Sequence, residues 1–143
     1  MKGINQSLIN VLIQKDVLLK KRHIKQISKL FLNENSLRNF IEEFIKQKEY
    51  FLENPQHYID NNKKIERLKY IKIEDPIYSY KYRKSSSRKN NKNIRCIFFI
   101  YEGRIIVLDI FEENDDNGSA YKDAIKRAVS EYKIIVEGGK DED

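Results

Sequence analysis

Lys81, Arg83 and Arg95 stand on two neighbouring strand-like runs, and a pair of carboxylates, Glu112 and Glu113, closes the run that follows. Cations spaced in this way can hold a polyanion, and Arg95 can instead pair with Glu112 or Glu113 across a hairpin. The surrounding charge is uneven. Residues 1–101 carry 22 Lys and Arg against 10 Asp and Glu, whereas residues 102–143 carry 6 against 12. Between Pro76 and Tyr101 there are seven basic residues and no acidic one. Such a block reads either as a polyanion-binding surface or as a solvated basic loop.

Regular elements must position these groups. "IYSYKYR" alternates Ile77, Ser79, Lys81 and Arg83 on one face with Tyr78, Tyr80 and Tyr82 on the other, the period of a strand. "KSSSRKNNKN" reads as a hydrophilic loop. "IRCIFFI" and "IIVLDIF", joined by a turn at "YEGR", read as a hairpin of two central strands, with Gly103 supplying a positive φ. "ENDDNGS" reads as a second loop, and Tyr121, Ile125, Ala128, Val129 and Tyr132 fall at helical spacing.

The first half is helical in pattern. Val17, Lys20, Ile24, Ile27, Leu30 and Phe31 share one side of a helix, and Leu37, Phe40, Ile41, Phe44, Ile45 and Leu52 one side of another. Ser36 is expected to cap the second, and Asn54-Pro55 to close it, giving an antiparallel helical hairpin. "SLINVLIQKD" fits a strand or a helical turn. A turn at Gln14-Lys15-Asp16, with Asp16 capping the next helix, favours the strand. Residues 55–75 are polar, with Ile65, Leu68 and Ile71 as anchors of a short helix. The expected order is strand, two helices, three antiparallel strands and a helix: an α+β fold with helices on one face of the sheet.

Composition bounds the rest. The length of 143 residues fits one domain, residues 1–136, followed by an acidic flexible tail at 137–143. Nine tyrosines and seven phenylalanines argue for a packed core. The single Cys96 sits in an apolar run and reads as a small buried hydrophobe, which fits a reducing, cytoplasmic setting. The longest apolar run, Cys96 to Tyr101, is too short to cross a bilayer, and "MKGINQSLINVLIQKD" lacks a cleavage site, so no membrane association is expected. Phosphate-cradling glycine loops, zinc spacings and nucleophile elbows are absent. His23 and His57 lie far apart on polar segments, His23 as an expected surface residue. "ENDDNGS" lacks the spacing and closing glutamate of a calcium loop.

Three strings together resemble the RelE/ParE superfamily of type II toxin–antitoxin systems, in particular its RelE, HigB and phage branch. "IERLKYIKIEDPIYSYKYR" is similar to the family's approach to its second strand. "NIRCIFFIYEGRIIVLDIF" resembles the central hairpin, where an arginine opens the third strand. "YKDAIKRAVSEY" is similar to the final helix. The resemblance implies a RelE-like α+β fold: a small antiparallel sheet with a mixed edge, an N-terminal helical hairpin, and a C-terminal helix packed on it.

The function so implied is a toxin that inhibits translation by cutting mRNA on the ribosome, without metal or other cofactor, held in check by a cognate antitoxin protein. In that chemistry a 2′-hydroxyl attacks the adjacent phosphate, and cations and a tyrosine position the chain, stabilise charge and move protons. The resemblance gives Lys81 the role of neutralising a phosphate or lowering the nucleophile's pKa. Arg95 would stabilise the phosphorane, and Tyr121 would stack or transfer a proton. Arg83, Lys84, Arg88, Lys89 and Lys92 would bind RNA. Ser79 stands where members often carry a lysine or a glutamate. Glu112 and Glu113 stand where the family usually has Lys, Arg or His; a glutamate there could act as general base or mark lost nuclease activity. ParE-like members instead poison DNA gyrase. A non-catalytic regulator of a phage or other mobile element that binds nucleic acid or protein is the third reading.

Overall fold

The first apolar run, "SLINVLI", is a helix rather than a strand. In the computed structural model, which describes residues 6–31, 33–69, 71–84, 93–113 and 118–138, it forms α1 (Gln6–Gln14) with Ile9 and Leu12 buried. Five apolar residues interrupted only by Asn10 satisfy either period, and packing against a neighbouring helix decides the outcome here. Asp16 does not cap a helix. It takes φ 63°, the left-handed conformation that follows a helix end. Lys48 donates to the Lys15 carbonyl, placing a cation at the α1 C-terminus.

The chain continues through β1 (Val17–Leu18), α2 (Lys21–Leu30), α3 (Glu34–Glu53), α4 (Pro55–Asn62) and β2 (Ile65–Arg67). It ends with β3 (Tyr78–Arg83), β4 (Asn93–Tyr101), β5 (Arg104–Glu113) and α5 (Ser119–Val136). Asn33, not Ser36, caps α3, its side chain accepting the Ser36 N–H at 2.9 Å. Asn54-Pro55 does end α3, yet it also starts α4: Asn54 accepts from the His57 N–H at 3.2 Å, and proline suits a first helical position. The short helix expected around Ile65, Leu68 and Ile71 is therefore replaced by α4 upstream and by a three-residue strand.

The sheet order is β1-β5-β4-β3-β2, antiparallel throughout except for the parallel edge pair β1–β5. Among the described residues the fold is mixed α+β, with five helices and this five-stranded open sheet. Glu102 and Gly103, at φ 52° and 78°, make the tight turn between β4 and β5. One bulge interrupts that pair. Ile97 lies opposite Asp109 and Phe98 opposite Val107, so Leu108 has no partner on β4. The extra residue shifts the alternation, so that Val107 and Ile110 belong to one core cluster and Leu108 and Phe111 to the other.

The helices cover both faces rather than one. Ile94, Cys96 and Phe98 join Phe40, Phe44, Phe51, Tyr58 and Tyr80 beneath the N-terminal helices. Ile97, Phe99, Leu108 and Phe111 lie under α5, where Ala124 and Ala128 allow close approach. The helical hairpin is also corrected: α2 lies along β5, while α3 packs with α1 and α4. Hydrophobic period alone places a helix on a core without saying which neighbour it takes.

Candidate functional site

β3, β4 and β5 set the site, because their register brings alternate side chains onto the face that carries α5. Lys81 pairs with Arg95, Arg95 with Phe111, and Asn93 with both Arg83 and Glu113. At the far edge β2 sets Glu66 opposite Ser79. The alternation expected of "IYSYKYR" holds: Tyr78, Tyr80 and Tyr82 pack with the core beneath α3, and the Phe44 and Tyr80 rings stack 4.8 Å apart.

Arg95 is the centre of the arrangement. Its guanidinium lies 4.7 Å from the Tyr121 ring centroid, a cation–π geometry. Its Nε donates to Glu113 Oε1 at 2.9 Å and its Nη1 to Glu66 Oε1 at 3.3 Å. Tyr121 donates its hydroxyl to the same Glu66 oxygen at 3.0 Å. Burial above all pushes the Tyr121 phenol up to about 12, and the Glu66 carboxylate adds to the shift. Tyr121 thus keeps its proton at neutral pH and acts as a donor. Lys81 is exposed next to Arg95, and among the described residues neither its ammonium nor Arg95 Nη2 has a hydrogen-bond partner.

The two glutamates that end β5 part company. Glu113 joins Arg95, while Glu112 turns to the opposite face and pairs with Lys84 at 2.9 Å, beside Phe31. Adjacent strand residues point to opposite sides, so the pair could never have acted as one unit. Lys84 is likewise on the far side from Arg95, and Arg83 is exposed at the end of β3. Arg88, Lys89 and Lys92 lie outside the described residues, as do most of "ENDDNGS" and of the acidic tail.

Glu66 is the member of the cluster that the sequence hides. It comes from a three-residue strand, too short to show alternation, in a stretch that reads as polar helix. The remaining candidates fall away from the cluster. His57 is exposed on α4. His23 is fully buried, not a surface residue: its Nδ1 accepts the Lys20 N–H at 3.2 Å and its Nε2 meets the Leu108 carbonyl at 3.1 Å. Those bonds fix a neutral imidazole with the proton on Nε2. Cys96 is buried, and burial pushes its thiol far above the ordinary range, so it is inert packing.

A second charged group joins α2, β5 and α5. Glu131 is buried against Lys20 and Arg22, and Asp109 is bonded through both oxygens to Arg127, at 3.2 and 3.0 Å. These pairs hold elements together. Among the described residues no group of three or more His, Cys, Asp or Glu could hold a metal ion, and no helix is long and apolar enough to cross a membrane. Comparison of the chain with protein-family models, curated proteins and solved structures finds no match.

Proposed function

We propose that the chain is a metal-independent endoribonuclease of the RelE kind, a toxin that cuts mRNA on the ribosome and is restrained by a cognate antitoxin. The observation that supports this reading is the convergence of Arg95, Tyr121, Glu113 and Lys81 on the sheet face that carries α5. Glu113 takes the proton of a ribose 2′-hydroxyl, and the resulting oxygen attacks the adjacent phosphorus. Arg95 and Lys81 stabilise the charge that builds on the phosphorane oxygens, and Tyr121 returns a proton to the departing 5′-oxygen. The products are a 2′,3′-cyclic phosphate and a 5′-hydroxyl. Glu112, on the far face, has no part in the reaction. In-vitro translation followed by primer extension tests this: codon-dependent cuts are expected with the native chain and absent with Lys81→Ala and Arg95→Ala. Intact message at inhibitory doses overturns it.

A second reading, a non-catalytic module that binds nucleic acid, is favoured by one observation. Two donors of Arg95 are already taken by carboxylates. Salt-dependent binding of RNA that is never cut would favour it, with log K falling by about 0.7 per phosphate contact for each tenfold rise in salt.

A further inference from the structure

We propose that the Glu66 carboxylate is a built-in stand-in for the ligand: its Oε1 occupies the position of a phosphodiester oxygen between Arg95 and Tyr121, and a polynucleotide backbone displaces it on binding. This deepens the reading above and rests on it only for the ligand's being a polynucleotide. Arg95 Nη1 and the Tyr121 hydroxyl both donate to that one oxygen, at 3.3 and 3.0 Å. Two donors converging on a single anionic oxygen, beside a stacked guanidinium, form the cradle that a phosphate requires.

The two carboxylates on Arg95 are not equivalent. Glu113 is held at 2.9 Å with 19% of its side chain exposed, whereas Glu66 is 53% exposed and sits on an edge strand of three residues. The Glu66 side of the pair is exposed and its contact with Arg95 is long, so Glu66 can swing into solvent by side-chain rotation while Arg95 keeps its closer pair with Glu113. Glu113 stays and keeps the guanidinium plane oriented. Once Glu66 leaves, Arg95 Nη1 and the Tyr121 hydroxyl are open to the newcomer, next to Arg95 Nη2 and the Lys81 ammonium. A phosphodiester supplies oxygens for both sets of donors, and a lone carboxylate does not. Glu66 thereby excludes weak, singly bound anions and admits a chain that contacts Lys81 and Arg95 together.

The test uses a single-stranded oligodeoxynucleotide, which lacks the 2′-hydroxyl and cannot be cut, with inorganic phosphate as a parallel probe. Glu66→Ala and Glu66→Gln are expected to bind the oligonucleotide roughly three- to tenfold more tightly than the native chain. Glu34→Ala, which removes an equal charge from the exposed start of α3, is expected to change binding less than twofold. Adding Arg95→Ala to Glu66→Ala is expected to abolish the gain. Unchanged or weaker binding in the Glu66 variants overturns the proposal, as does a gain matched by Glu34→Ala. A gain for inorganic phosphate alone also overturns it, since it assigns the cradle to a free anion. If the Glu66 gain holds while the native chain never cuts message, the nuclease reading falls and this one stands.

Discussion

The two faces of the sheet use their side chains differently. Under the N-terminal helices, Phe40, Phe44, Phe51, Tyr58, Tyr80 and Phe98 form a continuous field of rings, buried almost completely. Under α5 the apolar floor is smaller, and at Phe111 it gives way to Arg95, Glu113, Glu66 and Lys81. One face is a nearly unbroken apolar layer. The other holds charges whose burial would be costly alone and is offset by pairing, Arg95 with Glu113 and Glu66.

The sharpest way to test this division is to damage each face in turn. Phe98→Ala, on the aromatic face, is expected to lose about 3–5 kcal/mol of unfolding free energy in urea and to lower Tm by roughly 10 °C or more. A loss below about 1 kcal/mol would erase the distinction. Arg95→Ala, on the polar end of the other face, is expected to lose about 1–3 kcal/mol, less than Phe98→Ala, while reducing cleavage roughly 10²- to 10³-fold. Primer extension and urea unfolding on the same preparation separate the two effects.

Smaller still is the contrast between neighbouring glutamates. Glu113→Gln is expected to slow cleavage roughly a hundredfold and Glu112→Gln to leave it unchanged. Equal effects would show that strand alternation does not separate their roles. The smallest effect is alkaline. Tyr58 and Tyr121 are pushed up to about 12 mainly by burial, and Tyr80 still higher. An unfolded tyrosine loses its proton near pH 10, so stability is level below that pH and falls as pH rises from about 10 towards 12. Tyr121→Phe is expected to recover about 1 kcal/mol of the loss at pH 11, measured by urea unfolding.

Much of this arrangement was legible in the residues themselves. The period of two in "IYSYKYR" places Lys81 and Arg83 on one face, and the Glu102-Gly103 turn sets β4 beside β5 as a hairpin, whereas no short turn fixes the register of β3 on β4 that brings Lys81 against Arg95. The period of α3 and α5 is as plain. The errors share a physical origin. "SLINVLI" satisfied two periods, and contact with α3 resolved it. The three residues of β2 were too few to show any period, and Glu66 was lost with them. His23 sits in a run of cations and reads as exposed, since the two backbone groups that satisfy its ring belong to Lys20 nearby and to Leu108, far along the chain. The separation of Glu112 from Glu113, by contrast, follows from strand geometry alone.

The bulge at Leu108 has a consequence for the life of the protein in concentrated solution. β1 covers β5 only at Ile105 and Ile106, and just beyond, the bulge turns a carbonyl out of the ladder. An uncovered sheet margin is a template on which a second chain can add a strand, the first step towards fibres. His23 takes that carbonyl with a side-chain N–H, doing for one residue what a longer β1 would have done for several. α2 thus covers this part of the β5 margin as well as walling the core, and His23→Leu, which keeps the packing volume, is expected to aggregate at concentrations where the native chain stays dispersed, as light scattering would show.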